Sequence, residues 1–202
     1  MVICLTINLF AQNALTNIYT GNLESNGAID FKEALHEISA VYNVSMSAEF
    51  TAPVNETIMA FTNETLLGVM DAIIGSNTNY LWRYENQTDR IYIHPKTNSV
   101  LMMRCDSISI TNTPLMSLYE KNGIPKFNEI GLGVFNHSTS YHLMTTEVSL
   151  ELENPFVWQV LDAILTQLPD VTNLYIQKPG LRDYDYTLFF VEKIESEAPD
   201  YE

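Results

Sequence analysis

The residues best suited to chemistry in this sequence lie in segment 124–147. His137 and His142 stand there with Ser138 and Ser140, and imidazoles beside hydroxyl groups could bind a metal ion or activate a nucleophile. His142 follows His137 by five positions (142 − 137 = 5), which fits neither a helical i, i+4 ligand pair nor a nucleophile turn. We therefore predict polar loop residues, and keep a hydrolase with its site in this segment as the alternative.

A repeated carboxylate is the second candidate. Asp71 and Asp162 each stand in a Val-x-Asp-Ala-Ile motif, and two carboxylates can divide the roles of general acid and general base. Both residues occupy matching positions beside the apolar stripe of a predicted helix. We interpret each one as a structural side chain that accepts a hydrogen bond from a neighbouring loop.

Aromatic residues give a clearer indication of binding than any of these groups. Tyr80, Trp82 and Tyr84 alternate along one predicted strand, and Tyr92 stands in the strand after the next turn. Alternate residues share a face, so this row could form an exposed partner surface, receive an added strand at the hairpin edge, or face inward as core. We take these four as the candidate binding residues, and predict no catalytic residue, metal site or cofactor.

The charge of the chain limits its partners. The sequence has 25 acidic and 10 basic residues, which gives a formal net charge of −15. A surface of this sign repels nucleic-acid phosphates and anionic lipids, so we expect no nucleic-acid partner. No apolar run approaches the ~20 residues that cross a bilayer, and we therefore predict no transmembrane segment.

The N-terminal residues 1–11 are uncharged and mostly apolar. This pattern predicts a partial secretory signal peptide cleaved after Ala11, although the basic residue expected before the apolar run is missing; a buried first strand is the alternative. Export would give the protein a secreted or periplasmic location. Cleavage would also remove Cys4 and leave Cys105 as the one cysteine, which we predict to be a small buried side chain and not a reactive thiol.

Two stretches of the chain match at a constant offset. Residues 69–74 (VMDAII) match residues 160–165 (VLDAIL), at a spacing of 91 positions (160 − 69 = 91). Asn63 and Asn154 pair at the same spacing, and each is predicted to cap the helix that follows an alternating strand. The sequence therefore predicts an internal duplication of a strand-helix unit.

The order of predicted elements defines the fold class. We predict an α+β protein of two small duplicated αβ domains, each ordered strand, helix, strand, strand, helix and hairpin. The first domain is predicted at 17–97 and the second at 98–194. Relative to the first domain, the second carries segment 124–147 as an irregular insertion. Residues 195–202 form an acidic tail.

The first copy resembles the short N-terminal (STN) domain shared by bacterial secretins and TonB-dependent receptors. The likeness lies in 31–35 (FKEAL), 69–74 (VMDAII), 80–84 (YLWRY) and 90–93 (RIYI), and in 148–165 of the second copy. It covers most of 28–96 and, more loosely, 99–193.

The resemblance implies a periplasmic αβ module that binds other proteins. From it we expect a protein partner in the bacterial cell envelope, within a secretion, receptor or signalling complex. The sequence hypothesis is therefore a secreted or periplasmic, non-enzymatic protein-interaction module.

Overall fold

A computed structural model describes Leu15 and residues 22–52, 54–120, 123–134, 141–178 and 185–192. Contacts within the chain divide it into two units, Met1–Leu101 and Met102–Glu202. The predicted signal segment 1–11 and the acidic tail 195–202 lie outside the described residues.

The first unit contains two helices and two groups of paired strands among its described residues. In chain order its elements are β1 (Asn22–Glu24), α1 (Phe31–Tyr42), β2 (Ser45–Phe50), β3 (Ala60–Thr62), α2 (Leu66–Ser76), β4 (Tyr80–Glu85) and β5 (Arg90–Pro95). Strands β1 and β3 pair antiparallel. Strand β5 pairs parallel with β2 and antiparallel with β4. The chain returns from β2 to β5 through β3, α2 and β4, which gives the long connection that a parallel pair requires.

Helix α1 begins and ends at the residues that its capping signals predict. The Asp30 carboxylate accepts a hydrogen bond from the Lys32 backbone N–H at 2.8 Å, and Asn43 ends the helix in the left-handed conformation at φ 50°. Its apolar positions recur at helical spacing, and the buried ones are Phe31, Ala34, Leu35 and Ile38.

Helix α2 has a different cap from the one predicted. The Thr65 hydroxyl accepts from the Gly68 backbone N–H at 3.0 Å, so Thr65 is the capping residue and the prediction for Asn63 is wrong. Asn63 instead has φ 51° in the turn that leads from β3 to the helix. Asparagine tolerates this left-handed conformation better than most residues, which explains its presence at the turn.

The buried Glu49 carboxylate organises the end of the first unit. Glu49 is 0% exposed and accepts hydrogen bonds from the Ser99 hydroxyl at 2.7 Å and the Thr51 hydroxyl at 2.8 Å. It also accepts from the backbone N–H groups of Val100 at 3.0 Å and Leu101 at 3.1 Å. Four donors around one carboxylate compensate the cost of burying its charge, and they hold residues 99–101 against the end of β2.

The second unit contains more, and shorter, elements. They are β6 (Ile108–Pro114), a 3-10 helix (Leu115–Tyr119), α3 (Pro125–Glu129), β7 (Leu132–Val134), α4 (Tyr141–Thr145), β8 (Glu147–Leu152), α5 (Val157–Leu165), β9 (Val171–Gln177) and β10 (Tyr186–Glu192). Strands β6 and β8 pair antiparallel. Strand β10 pairs antiparallel with β9 and parallel with β7.

The cap of helix α5 also differs from the predicted one. Phe156, and not Asn154, is the residue before its first turn, and the Gln159 side chain accepts from the Phe156 backbone N–H at 2.8 Å. Asn154 has φ 46°, so it occupies the same left-handed conformation as Asn63. In both units the predicted cap lies in the turn before the helix.

Segment 124–147 is not the irregular insertion that the sequence predicts. It contains α3, β7 and α4, and β7 pairs with β10 as β2 pairs with β5 in the first unit. These elements have three to five residues each, which is too short to show a hydrophobic period in the sequence. Regular structure in this segment was therefore missed.

The fold class is α+β, as predicted. The order of elements in the first unit also matches the predicted one, and the same pattern of pairings recurs in the second unit, from β6 with β8 to β9 with β10. Shared topology can arise without duplication, because few arrangements bury the faces of so few elements. The internal duplication stays a prediction.

Candidate functional site

The hairpin β4–β5 carries the four aromatic residues predicted to bind a partner. In its register Arg83 lies opposite Tyr92. Because successive strand residues point to opposite faces, Tyr80, Trp82 and Tyr84 share one face and Tyr92 lies on the other. The four side chains therefore do not form one row.

Tyr80 belongs to the core of the first unit. It is 1% exposed, and its ring centre lies 5.5 Å from that of Phe31. Its hydroxyl donates to the Ala52 carbonyl at 2.6 Å and accepts from the Ala52 N–H at 3.2 Å. Burial raises the pKa of Tyr80 to about 12, with the Ala52 bond acting in the opposite direction and the Glu49 charge adding to the increase.

Tyr92 is buried on the other face of the hairpin. It is 1% exposed, and the Arg83 guanidinium carbon lies 5.1 Å from its ring centre, within the range of a cation–π contact. Exposure of Tyr80 and Tyr92 is therefore a wrong expectation. Neither ring is available to a partner at the surface.

Trp82 and Tyr84 are half-buried, and each donates its polar hydrogen to a carboxylate. The Trp82 indole N–H donates to Asp71 Oδ1 at 2.9 Å, and the Tyr84 hydroxyl donates to Asp89 Oδ1. Burial, followed by the bond to Asp89 and its negative charge, raises the pKa of the Tyr84 hydroxyl. Two aromatic rings thus stand beside two carboxylates on one face of β4.

An open depression of about 350 Å³ lies beside Asp71 and Trp82, between α2 and β4. Asp71 and Ile74 line it from the helix, while Leu81 and Trp82 line it from the strand. Lys96 stands just beyond the end of β5 and completes the lining. The depression is a groove that combines apolar side chains with one charge of each sign.

Strand β4 has a free edge among the described residues, since β5 is the one strand paired with it there. The Lys96 N–H donates to the Asn79 carbonyl at 2.9 Å, and hydrogen-bonded pairs alternate along an antiparallel ladder. The backbone groups of Tyr80, Trp82 and Tyr84 therefore point away from β5. The Tyr80 N–H already donates within a turn, to Asn77, so the groups of Trp82 and Tyr84 form the free edge.

The repeated carboxylates do not share an environment. Asp71 is exposed and bonds a strand side chain instead of the predicted loop, whereas Asp162 is 8% exposed. The sequence did not predict the hydrogen bonds from Trp82 to Asp71 and from Tyr84 to Asp89. The signal available for Asp89 was its position at the end of the hairpin turn that Tyr84 precedes.

The structure brings together little of the predicted chemistry in segment 124–147. His137, Ser138 and Ser140 lie outside the described residues, and His142 is exposed on α4. Within the ranges that the structure describes, no group of three or more His, Cys, Asp or Glu residues could hold a metal ion. The hydrolase alternative remains an untested prediction.

Cys105 is a buried side chain, as the sequence predicts. It is 5% exposed, and it forms no disulfide. Burial is the main reason that its pKa is raised to about 11, while nearby Lys126 acts in the opposite direction. The thiolate that reacts with electrophiles is therefore scarce at neutral pH.

Comparisons with known proteins place the chain in no family. A scan against protein-family models, a search of curated proteins and a search of solved structures each found no match. The resemblance to STN domains accordingly stays a prediction. Among the described residues, none of the helices has the length and apolar character needed to span a membrane.

Proposed function

We propose that this protein is a non-enzymatic protein-interaction module of the bacterial envelope, secreted or periplasmic, with an STN-like fold. One observation carries the proposal: the free edge of β4 displays two half-buried aromatic side chains beside an open groove. Aromatic residues that remain accessible at a well-packed surface are the usual anchors of protein interfaces. The resemblance noted for the first copy supports the same class of work.

The proposal is tested with the substitution Trp82→Ser. Because Trp82 is half-buried and bonds Asp71, we expect a folded variant that has lost roughly 1–2 kcal/mol of stability. Circular dichroism and a urea melt establish that folding first. The tagged wild-type chain is then used to capture proteins from an envelope extract, and mass spectrometry identifies those that bind. We expect the variant to lose the partner that the wild type retains.

Ile58→Ser is the control. Ile58 belongs to the same unit, is 67% exposed, and is not one of the residues that line the groove. This variant should therefore retain the partner. A folded Trp82→Ser variant that captures every wild-type partner would contradict this assignment of the binding surface.

A further inference from the structure

We propose that the free edge of β4 binds an extended basic peptide segment, which adds to the sheet as an antiparallel strand and places alternate Lys or Arg side chains beside Trp82 and Tyr84. This inference rests on the proposed function, because it names the chemistry of the partner. Strand addition takes its affinity from backbone hydrogen bonds and its specificity from pockets for alternate side chains. Both features are found together at β4.

The outer edge of β4 offers backbone groups for strand addition. The N–H and C=O groups of Trp82 and Tyr84 point away from β5, so one extended segment can bond all four groups at once. An antiparallel segment is favoured because its pairing is the more stable per residue. In that arrangement the peptide residues opposite Trp82 and Tyr84 exchange hydrogen bonds with them and stand two positions apart.

Those two peptide residues lie on the face of β4 that carries Trp82 and Tyr84, and the one opposite Trp82 stands beside the groove. Residues directly opposite each other in a ladder place their side chains on the same face, so the peptide side chains lie beside the rings of Trp82 and Tyr84. The aliphatic stem of a Lys or Arg can cover such a ring while its charged head reaches past it. The face therefore suits two long cationic side chains.

Charge selects the basic side chains. Asp71 and Asp89 accept from the two aromatic residues through one carboxylate oxygen each, and a carboxylate can accept further bonds at its second oxygen. Glu85 lies on the other face of β4 with Arg83, where the two side chains carry opposite charges, and the chain as a whole carries −15. Lys96 lines the groove at the opposite end of β4, so we expect basic residues only opposite Trp82 and Tyr84.

The direct probe is a blocked synthetic peptide, acetyl-Thr-Val-Lys-Val-Lys-Val-Thr-amide, whose binding to the full chain is followed by fluorescence anisotropy of an attached dye. Its lysines alternate, so both can lie on the face that carries Trp82 and Tyr84. The isomer acetyl-Thr-Val-Lys-Lys-Val-Val-Thr-amide has the same charge, but its lysines point to opposite faces. We expect the first peptide to bind more tightly, by about twofold to fivefold, because one lysine of the isomer lies on the face away from Asp71 and Asp89.

Backbone methylation separates strand addition from charge attraction. N-methylation of both lysines removes the donors that face Trp82 and Tyr84, and should weaken binding by at least about tenfold. N-methylation of the flanking valines affects donors that face away from β4 and should leave the affinity unchanged. Equal binding of the two methylated peptides would overturn the proposal.

Substitutions in the protein test the role of charge. Asp71→Asn keeps an oxygen for the Trp82 indole but removes the charge, so the affinity for the lysine peptide should fall by about twofold to fivefold. Glu153→Gln, an exposed carboxylate of the other unit, is the matched control and should bind as the wild type does. Affinities that are the same for Asp71→Asn and wild type would contradict the role given to charge.

The outcomes also separate this inference from the proposed function. A wild-type chain that captures an envelope protein but binds none of the peptides would remain an interaction module, and the assignment of basic peptides to β4 would be wrong. A chain that captures no envelope protein would count against the proposed function itself. Tight binding that is sensitive to lysine methylation supports both.

Discussion

Replacing the buried carboxylate Glu49 with an amide should destabilise the first unit strongly. In Glu49→Gln the size of the side chain is preserved, but one of its two oxygens becomes an NH₂ group. Each oxygen of Glu49 accepts from one backbone N–H, that of Val100 or that of Leu101. In either orientation of the amide, its NH₂ group faces one of these two backbone N–H groups. Two donors then meet in a site that is 0% exposed.

The magnitude follows from those contacts. A hydrogen bond to a charged group contributes about 1.5–3 kcal/mol, and a buried donor without a partner costs about 1–3 kcal/mol. The Ser99 and Thr51 hydroxyls can rotate to accept from the new NH₂ group, which offsets part of the loss. We therefore expect Glu49→Gln to lower the free energy of unfolding by roughly 2–4 kcal/mol.

The assay is urea unfolding of the full chain, followed by circular dichroism and extrapolated linearly to water. Glu147→Gln is the control, because Glu147 is an exposed carboxylate at the start of a strand and its neutralisation should change little. If the two variants unfold at the same urea concentration, the four hydrogen bonds to Glu49 contribute no net stability and the reasoning is refuted.

Two further predictions concern the cores. Leu161→Ala should cost roughly 2–5 kcal/mol, because Leu161 is 0% exposed on α5, whereas the exposed-site variant Glu153→Ala should unfold as the wild type does in the same urea melt. Burial raises the pKa values of Tyr80 and Tyr175 from 10.0 to about 12 each, so the neutral forms stabilise the fold fully below pH 10. The free energy of unfolding should then fall as the pH rises from 10 through about 12, and a flat profile in urea melts across this range would contradict the burial of both hydroxyls. In the folded wild-type protein at neutral pH, Cys105 should resist a thiol reagent. The same reagent should modify Cys105 rapidly once urea has unfolded the chain.

Local sequence signals determined the longer elements of this protein. The cap at Asp30, the left-handed end at Asn43 and the helical spacing of the apolar residues between them defined α1, because each of these acts within one or two turns of the chain. The shortest elements were missed for the same reason. Strand β7 is stabilised by pairing with the distant β10 and not by its own three residues.

Tertiary structure decided the candidate site. Alternation along β4 placed Tyr80, Trp82 and Tyr84 on one face in the sequence analysis, but it could not show which of them remain accessible. The packing of Phe31 against Tyr80 buries one end of the row. The position of β4 at the edge of its sheet leaves Trp82 half-buried beside Asp71 and Tyr84 half-buried beside Asp89. Exposure depends on which distant elements cover a strand, and a period of two residues carries no information about that cover.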